Sequence, residues 1–178
     1  MCLLRRHVFL LLCSLVTLMT IMNVPAKAGE LDVWIGTGGS PSKGIYHCTL
    51  NSETGKLSPS RLVAEISGPG FLAMHPQGTH LYAVGSLNGK PSVVAYRIVS
   101  RGADAQLEFD SSVEIGDGGG THPSIDKQGK MIVTAQYGGG SVAAFAVNED
   151  GAIRERTALF DHLGGSGVVA GRQDASHS

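Results

Sequence analysis

The chain has 178 residues, of which 42% are apolar, 16% are charged and 25 are glycine, and its formal net charge is −1. An ordinary apolar content with so small a net charge argues against wholesale disorder, and the glycines lack the period of three that collagen requires. A glycine-rich, charge-poor chain with scattered valine, isoleucine, leucine and tyrosine favours short strands joined by tight turns. The length predicts one domain.

The first 28 residues are predicted to be a secretory signal peptide. Arg5 and Arg6 precede an uncharged run over residues 8–22, and residues 26–28 (Ala-Lys-Ala) place small side chains at the two positions that signal peptidase reads. We expect cleavage after residue 28 and export to the periplasm or the extracellular medium. A retained membrane anchor is the alternative, but the 15-residue run is shorter than the roughly 20 residues that span a bilayer.

The remaining segment, residues 29–178, is predicted to be acidic and free of internal disulfides. It carries 11 basic and 15 acidic residues, a formal charge of −4, with no cluster of lysine and arginine. A nucleic acid is therefore not an expected partner. Cys2 and Cys13 leave with the signal, so Cys48 has no partner within the chain. We expect Cys48 to be a small buried residue rather than a nucleophile.

The segment repeats with a period near 50. Three predicted strands carry an aromatic residue at matching positions: Tyr46 and Tyr96 are 50 positions apart, and Tyr96 and Phe145 are 49 apart. Each strand is followed by a polar turn and an aliphatic residue, which is Leu57, Leu107 or Ile153. Apolar residues alternate or run in short blocks, and outside the signal no stretch sustains helical spacing.

A second match fixes the register of the repeat. Residues 71–84 lie 51 positions before residues 122–135, and both read as a strand, a four-residue turn ending in glycine, and a second strand. Gly78 and Gly129 end these turns and are expected to adopt a positive φ. About four short strands in each unit of roughly 50 residues are typical of a β-propeller.

The predicted fold class is all-β, an incomplete β-propeller of four-stranded blades. Residues 31–67 supply three strands, residues 70–116 and 121–162 supply a full set each, and residues 170–178 begin a further set. Closed propellers have about 4–8 blades, so two and a half to three blades leave an open arc. We expect residues 29–178 to be the amino-terminal part of a longer propeller, with apolar end sheets through which copies could associate.

Several segments resemble a known family. Residues 135–142 read A-Q-Y-G-G-G-S-V and are similar to its V-A-N-Y-G-G-G-S-V strand, with Gln136 in place of asparagine. Other similar segments are residues 34–37 with 44–46, residues 71–78 with 81–84, and residues 171–173 with His177, which resemble its R-Q-x-x-P-H-x-H segment. The family is the seven-bladed lactonase group, which includes propeller-type 6-phosphogluconolactonases and carboxymuconate lactonizing enzymes. The resemblance covers residues 32–178.

The resemblance implies an enzyme that opens or forms a small-molecule lactone at the mouth of the propeller, without a metal or another cofactor. It assigns His177 as the catalytic proton carrier, and Arg172 and Gln173 as substrate-binding residues. Lactone opening needs a base that activates water and donors that stabilise the oxyanion. Ser176 stands where the family often has proline, and the arginines and glutamate expected farther along are absent. We therefore expect this segment alone to be inactive.

The other histidines support simpler interpretations. His75 precedes proline in a predicted turn, where a turn or surface role is expected. His122 precedes proline at the start of a predicted inner strand and is a candidate for lining the central channel. His47, His80 and His162 lack the spacing of metal ligands, so no metal site is expected.

The substrate and the enzymatic role both have alternatives. A phosphorylated sugar lactone belongs to cytosolic metabolism, so an export signal favours an unphosphorylated lactone over a 6-phosphogluconolactone. Because propellers support many unrelated functions, a non-enzymatic exported domain that binds a protein or a glycan is the second hypothesis.

Overall fold

The computed structural model describes residues 29–162, 164–165 and 167–171. The predicted signal peptide lies outside these residues. The strands are β1 (Glu30–Ile35), β2 (Gly44–Asn51), β3 (Arg61–Glu65), β4 (Ser67–Met74), β5 (His80–Leu87), β6 (Lys90–Ser100), β7 (Gln106–Glu114), β8 (Gly120–Ile125), β9 (Met131–Gln136), β10 (Ser141–Val147) and β11 (Ile153–Asp161). A short 3₁₀ turn at Gly102–Asp104 is the one helical element among them, and none of the described residues forms a helix long and apolar enough to cross a membrane.

The strands form three antiparallel sheets. Blade 1 has the order β1-β2-β3, blade 2 the order β4-β5-β6-β7, and blade 3 the order β8-β9-β10-β11. This grouping confirms the prediction of three strands followed by two full sets of four. The inner-edge strands β4 and β8 are neighbours, and the outer strands β7 and β11 also meet. Within the residues described, the three blades form an arc that does not close.

The repeat predicted from the sequence is confirmed at its turns and its aromatic strands. Gly78 and Gly129 have φ angles of 71° and 72°, and each donates its N–H to a carbonyl three residues earlier. Tyr96 in β6 and Phe145 in β10 are both buried between blades. Since only glycine adopts a positive φ without steric cost, the same turn chemistry is reused at the same place in both full blades.

Blade 2 is buried on both faces. Side chains alternate across a strand, so Tyr82 and Val84 of β5 pack toward blade 3, whereas Leu81 and Ala83 pack toward blade 1. This explains why β5 and β6 read as nearly continuous apolar runs rather than as alternating ones. Cys48, on blade 1, is 3% exposed, which confirms the prediction that it is buried.

The outer face of blade 3 is apolar and half-exposed. In β10, Ala143 and Phe145 are buried against blade 2, whereas Val142 and Ala144 on the opposite face are only partly covered. Phe160 on β11 is 65% exposed. This alternation is what an end sheet of an unclosed arc is expected to show, because apolar burial comes from stacking the next sheet.

A largely buried carboxylate joins blade 1 to blade 2. Asp32 in β1 accepts hydrogen bonds from the backbone N–H of Gly102 (2.8 Å) and the guanidinium of Arg101 (3.2 Å), and lies 2.9 Å from Nε2 of His47. Burial acts to raise the pKa of Asp32, but these hydrogen bonds outweigh it and hold the pKa below its ordinary value. Since Arg101 and Gly102 lie in the β6–β7 turn, Asp32 fixes that turn to the neighbouring blade.

A buried hydroxyl group links blade 2 to blade 3. The Tyr82 hydroxyl donates a hydrogen bond to the carbonyl oxygen of Gly151 at 2.9 Å. Burial, together with Asp110 and Asp150, raises the pKa of Tyr82 well above its ordinary value, so it remains a donor at neutral pH. His80 packs against the same glycine, and burial lowers the pKa of its imidazole although Asp110 opposes the shift.

Candidate functional site

The last strand, β11, ends at one end of the blades, and the segment that carries the sequence-predicted site follows it in the chain. We call this the glycine-rich end; it comprises the connections 36–43, 88–89, 115–119 and 137–140. Asp161, the last residue of β11, pairs with Ser141 there, and His162 donates its N–H to the carbonyl of Gly140. Arg172, Gln173 and His177 follow a few residues later and lie outside the described residues. The three assignments therefore stay predictions.

Asp117 organises the described part of the glycine-rich end. Its Oδ1 accepts the backbone N–H of Gly118 at 2.7 Å, and its Oδ2 accepts the hydroxyl of Ser141 at 2.5 Å. A Cβ at Gly139 would lie 1.8 Å from Oδ2, which no pair of atoms can tolerate. The carboxylate thus occupies the space that a side chain at Gly139 would need, and this explains one glycine of the Y-G-G-G-S motif.

The two glycine-containing loops are also paired through their backbones. Tyr137 donates its N–H to the carbonyl of Gly119 at 3.0 Å, and Gly139 donates to Gly118 at 3.1 Å. Gly119 has a φ of 72°, and a Cβ there would lie 2.8 Å from the nitrogen of Gly138. Glycine is therefore required for the two loops to approach each other this closely.

Gln136 extends this network into the sheet. Its amide contacts the hydroxyl of Thr134 and lies 3.1 Å from the hydroxyl of Ser141, and all three residues are completely buried. Buried polar groups of this kind are stable only when they are paired. Gln136 stands where the family has asparagine. Its longer side chain stays buried because it is paired with Ser141, which in turn is bonded to Asp117.

Two aromatic residues and a histidine are exposed near the same end. Tyr137 follows β9 and is 50% exposed. On the inner strands, the His122 ring of β8 is exposed and lies 6.1 Å from the ring of Phe71 in β4. This position agrees with the prediction that His122 opens an inner strand. Sequence reasoning singled out neither Asp117 nor Phe71 as a site residue. Both are recognised only by their contacts with loops or strands that are distant in the sequence.

We predict that Gly139→Ala lowers the free energy of unfolding by about 2–3 kcal/mol. The new methyl group forces the Asp117 carboxylate away, and hydrogen bonds to charged groups contribute about 1.5–3 kcal/mol each. Urea denaturation measures the loss. Gly118→Ala is the matched control, since nothing lies within 4 Å of a Cβ there, and equal losses in both variants would contradict the role of Asp117.

Stacked antiparallel sheets of three and four strands, with the inner edges of neighbouring sheets adjacent, define the architecture of a β-propeller. A family model described as "Lactonase, 7-bladed beta-propeller" matches residues 32–178. The chain belongs to this family, as the sequence motifs predicted.

Curated relatives with names of the same kind are similar over most of the chain. The 6-phosphogluconolactonase of Bacillus subtilis (strain 168) is 32% identical over 134 residues, which is 74% of this chain and 37% of the relative. The 6-phosphogluconolactonase of Formosa agariphila is 32% identical over 146 residues, 79% of this chain and 40% of the relative. The chain thus spans about two fifths of the length of these relatives.

Solved structures show the same fold. A candidate 6-phosphogluconolactonase from Bacteroides fragilis superposes with a TM-score of 0.74 at 27% identity, covering 84% of this chain and 41% of its own. The periplasmic gluconolactonase of Pseudomonas aeruginosa superposes with a TM-score of 0.73 at 23% identity, covering 83% and 42%. At that identity the second likeness concerns the fold alone.

Proposed function

We propose that residues 29–178 form the first blades of a lactonase that hydrolyses a sugar lactone. The observation that carries the proposal is the family match, which runs from residue 32 through the segment containing Arg172, Gln173 and His177. Curated relatives at 32% identity bear the name 6-phosphogluconolactonase. The glycine-rich end supports the same assignment, since β11 ends there and the segment with these three residues follows β11 in the chain.

In the proposed mechanism, His177 removes a proton from the water that attacks the lactone carbonyl. An unperturbed imidazole pKa near 6.5 suits this role at neutral pH. Arg172 and Gln173 bind the substrate, the guanidinium through a carboxylate or phosphate oxygen or a developing negative charge. Donors stabilise the tetrahedral oxyanion, and we expect these to come from blades beyond the third. Collapse of the oxyanion breaks the ring C–O bond, and His177 returns its proton to the leaving hydroxyl oxygen.

A hybrid enzyme tests the proposal. Residues 32–178 replace the matching segment of the Bacillus subtilis relative, and lactone hydrolysis is followed by acid release in a pH-stat. We expect saturable hydrolysis by the hybrid, and no rate above that of buffer for residues 29–178 alone, with either δ-gluconolactone or its 6-phosphate. A folded but inactive hybrid would favour the non-enzymatic propeller that binds a protein or glycan. Saturable turnover by residues 29–178 alone would contradict the expectation that this segment lacks part of the active site.

The proposal includes export of the protein. The charged start, the apolar run over residues 8–22 and the small residues at 26–28 support a signal peptide, and export in turn favours an unphosphorylated lactone. Fusing residues 1–40 to alkaline phosphatase, which is active only outside the cytoplasm, tests this step. An inactive but full-length fusion would contradict export.

A further inference from the structure

A polar cleft lies between blades 2 and 3, at the ends of the strands opposite the glycine-rich end. Three turns enclose it: residues 75–79 of blade 2, and residues 126–130 and 148–152 of blade 3. Its volume is about 240 Å³. The side chains that line it are those of His75, Gln77, Gln128, Lys130, Asn148 and Glu149.

The base of the cleft is the buried imidazole of His75. His75 is 6% exposed, so the expected turn position is confirmed but a surface location is not. Its Nδ1 accepts the backbone N–H of Gln77 at 3.2 Å, which places the proton of the neutral ring on Nε2. A Cβ at Gly129 would lie 2.2 Å from Nε2. The Nε2 edge of the imidazole therefore packs against the backbone of Gly129, a contact that a side chain at residue 129 would prevent.

The rim of the cleft carries polar side chains that are not used by the fold. Lys130 and Glu149 are exposed and form no ion pair with each other or with another residue of the described segments. Gln77, Gln128 and Asn148 contribute three amides whose side chains have no hydrogen-bond partner in the same part of the chain. The cleft thus presents one ammonium group, three amides and one carboxylate to a ligand.

We propose that this cleft binds a small polyhydroxylated carboxylate, such as an aldonate. Lys130 forms a charge-assisted hydrogen bond to the ligand carboxylate, while the amides and Glu149 bind its hydroxyl groups. The volume is below the roughly 300–1,000 Å³ of pockets for drug-sized ligands, which limits the occupant to one sugar-sized molecule. Binding here does not depend on the proposed lactonase activity, because the cleft is at the other end of the blades.

The ligand class follows from the whole set of side chains. A neutral sugar would leave the Lys130 ammonium without a counter-charge, so its affinity should be lower. Acetate or inorganic phosphate would engage the Lys130 ammonium but leave the amides of Gln77, Gln128 and Asn148 unused. A ligand with both an anionic group and several hydroxyl groups can pair with the Lys130 ammonium and with the amides at the same time.

A titration of the full chain with sodium gluconate, followed in assigned ¹⁵N–¹H spectra, tests the proposal. We expect saturable shifts of the amides of residues 128–130 and 148–149, and at least about tenfold weaker binding of glucose, acetate and phosphate. Lys130→Met should weaken gluconate binding about tenfold, because a hydrogen bond to a charged group is lost. Lys127→Met removes an exposed lysine outside the cleft and is the matched control.

Three results would overturn this assignment. They are the absence of saturable shifts at the cleft, equal affinities of the Lys130→Met and Lys127→Met variants, and binding of glucose or phosphate as tight as that of gluconate. Both lysines are exposed, so each variant is expected to retain the wild-type spectrum elsewhere. The outcome is independent of hydrolysis, and an inactive hybrid enzyme would leave it unaffected.

Discussion

Phe145→Ala lowers the free energy of unfolding by about 3–5 kcal/mol, the loss that truncating a fully buried phenylalanine produces. Phe145 is completely buried in the cluster between blades 2 and 3, together with Tyr82 and Ile132. The substitution removes the ring from the centre of this junction and leaves a cavity that two sheets held by their own hydrogen bonds cannot close. Urea or guanidinium denaturation measures the loss as a lower transition midpoint.

Phe160→Ala is the matched control for this experiment. Phe160 is 65% exposed on the outer strand of the same blade, so its truncation should change stability by no more than about 0.5 kcal/mol. If Phe145→Ala prevents folding, Phe145→Leu keeps most of the volume and should cost less than about 1.5 kcal/mol. Similar losses at positions 145 and 160 would show that the blade junction is not the main source of stability.

His177→Ala in the hybrid enzyme lowers kcat for lactone hydrolysis by about 10²–10⁴-fold, the usual contribution of a general base. Proton removal from water occurs in the transition state, so kcat falls while KM changes little. Ser176→Ala, one residue earlier, is the control and should retain activity. A loss of less than about fivefold at His177 would assign the proton transfer to another residue.

The pH profile separates a chemical role of His177 from a structural one. A base must be unprotonated, so kcat/KM of the parent hybrid should fall as the pH drops below the imidazole pKa, about 6.5 when unperturbed. The remaining activity of His177→Ala should lack this acid limb. If the acid limb of the pH profile is unchanged in His177→Ala, a group other than His177 is responsible for it.

The repeats of this sequence determined the fold because they encode local preferences. The short apolar runs around Tyr96 and Phe145, and the glycines that close turns at Gly78 and Gly129, act within a few residues of themselves. The strand count of each blade and the open arc follow from reading these signals in order. The family assignment depends on motifs of the same local kind, and it also carried the assignments of Arg172, Gln173 and His177.

Only the tertiary structure decided which residues meet across a blade junction. Asp117 contacts Ser141 from 24 positions away, and His75 of blade 2 contacts Gly129 of the adjacent blade 3; neither pair has a sequence signature. Side chains of different turns come together because apolar sheet faces stack in register, and that registry depends on the summed packing of residues far apart in the chain. Strand and turn formation is thus a property of the sequence read locally, whereas the glycine-rich end and the polar cleft are products of how the blades pack.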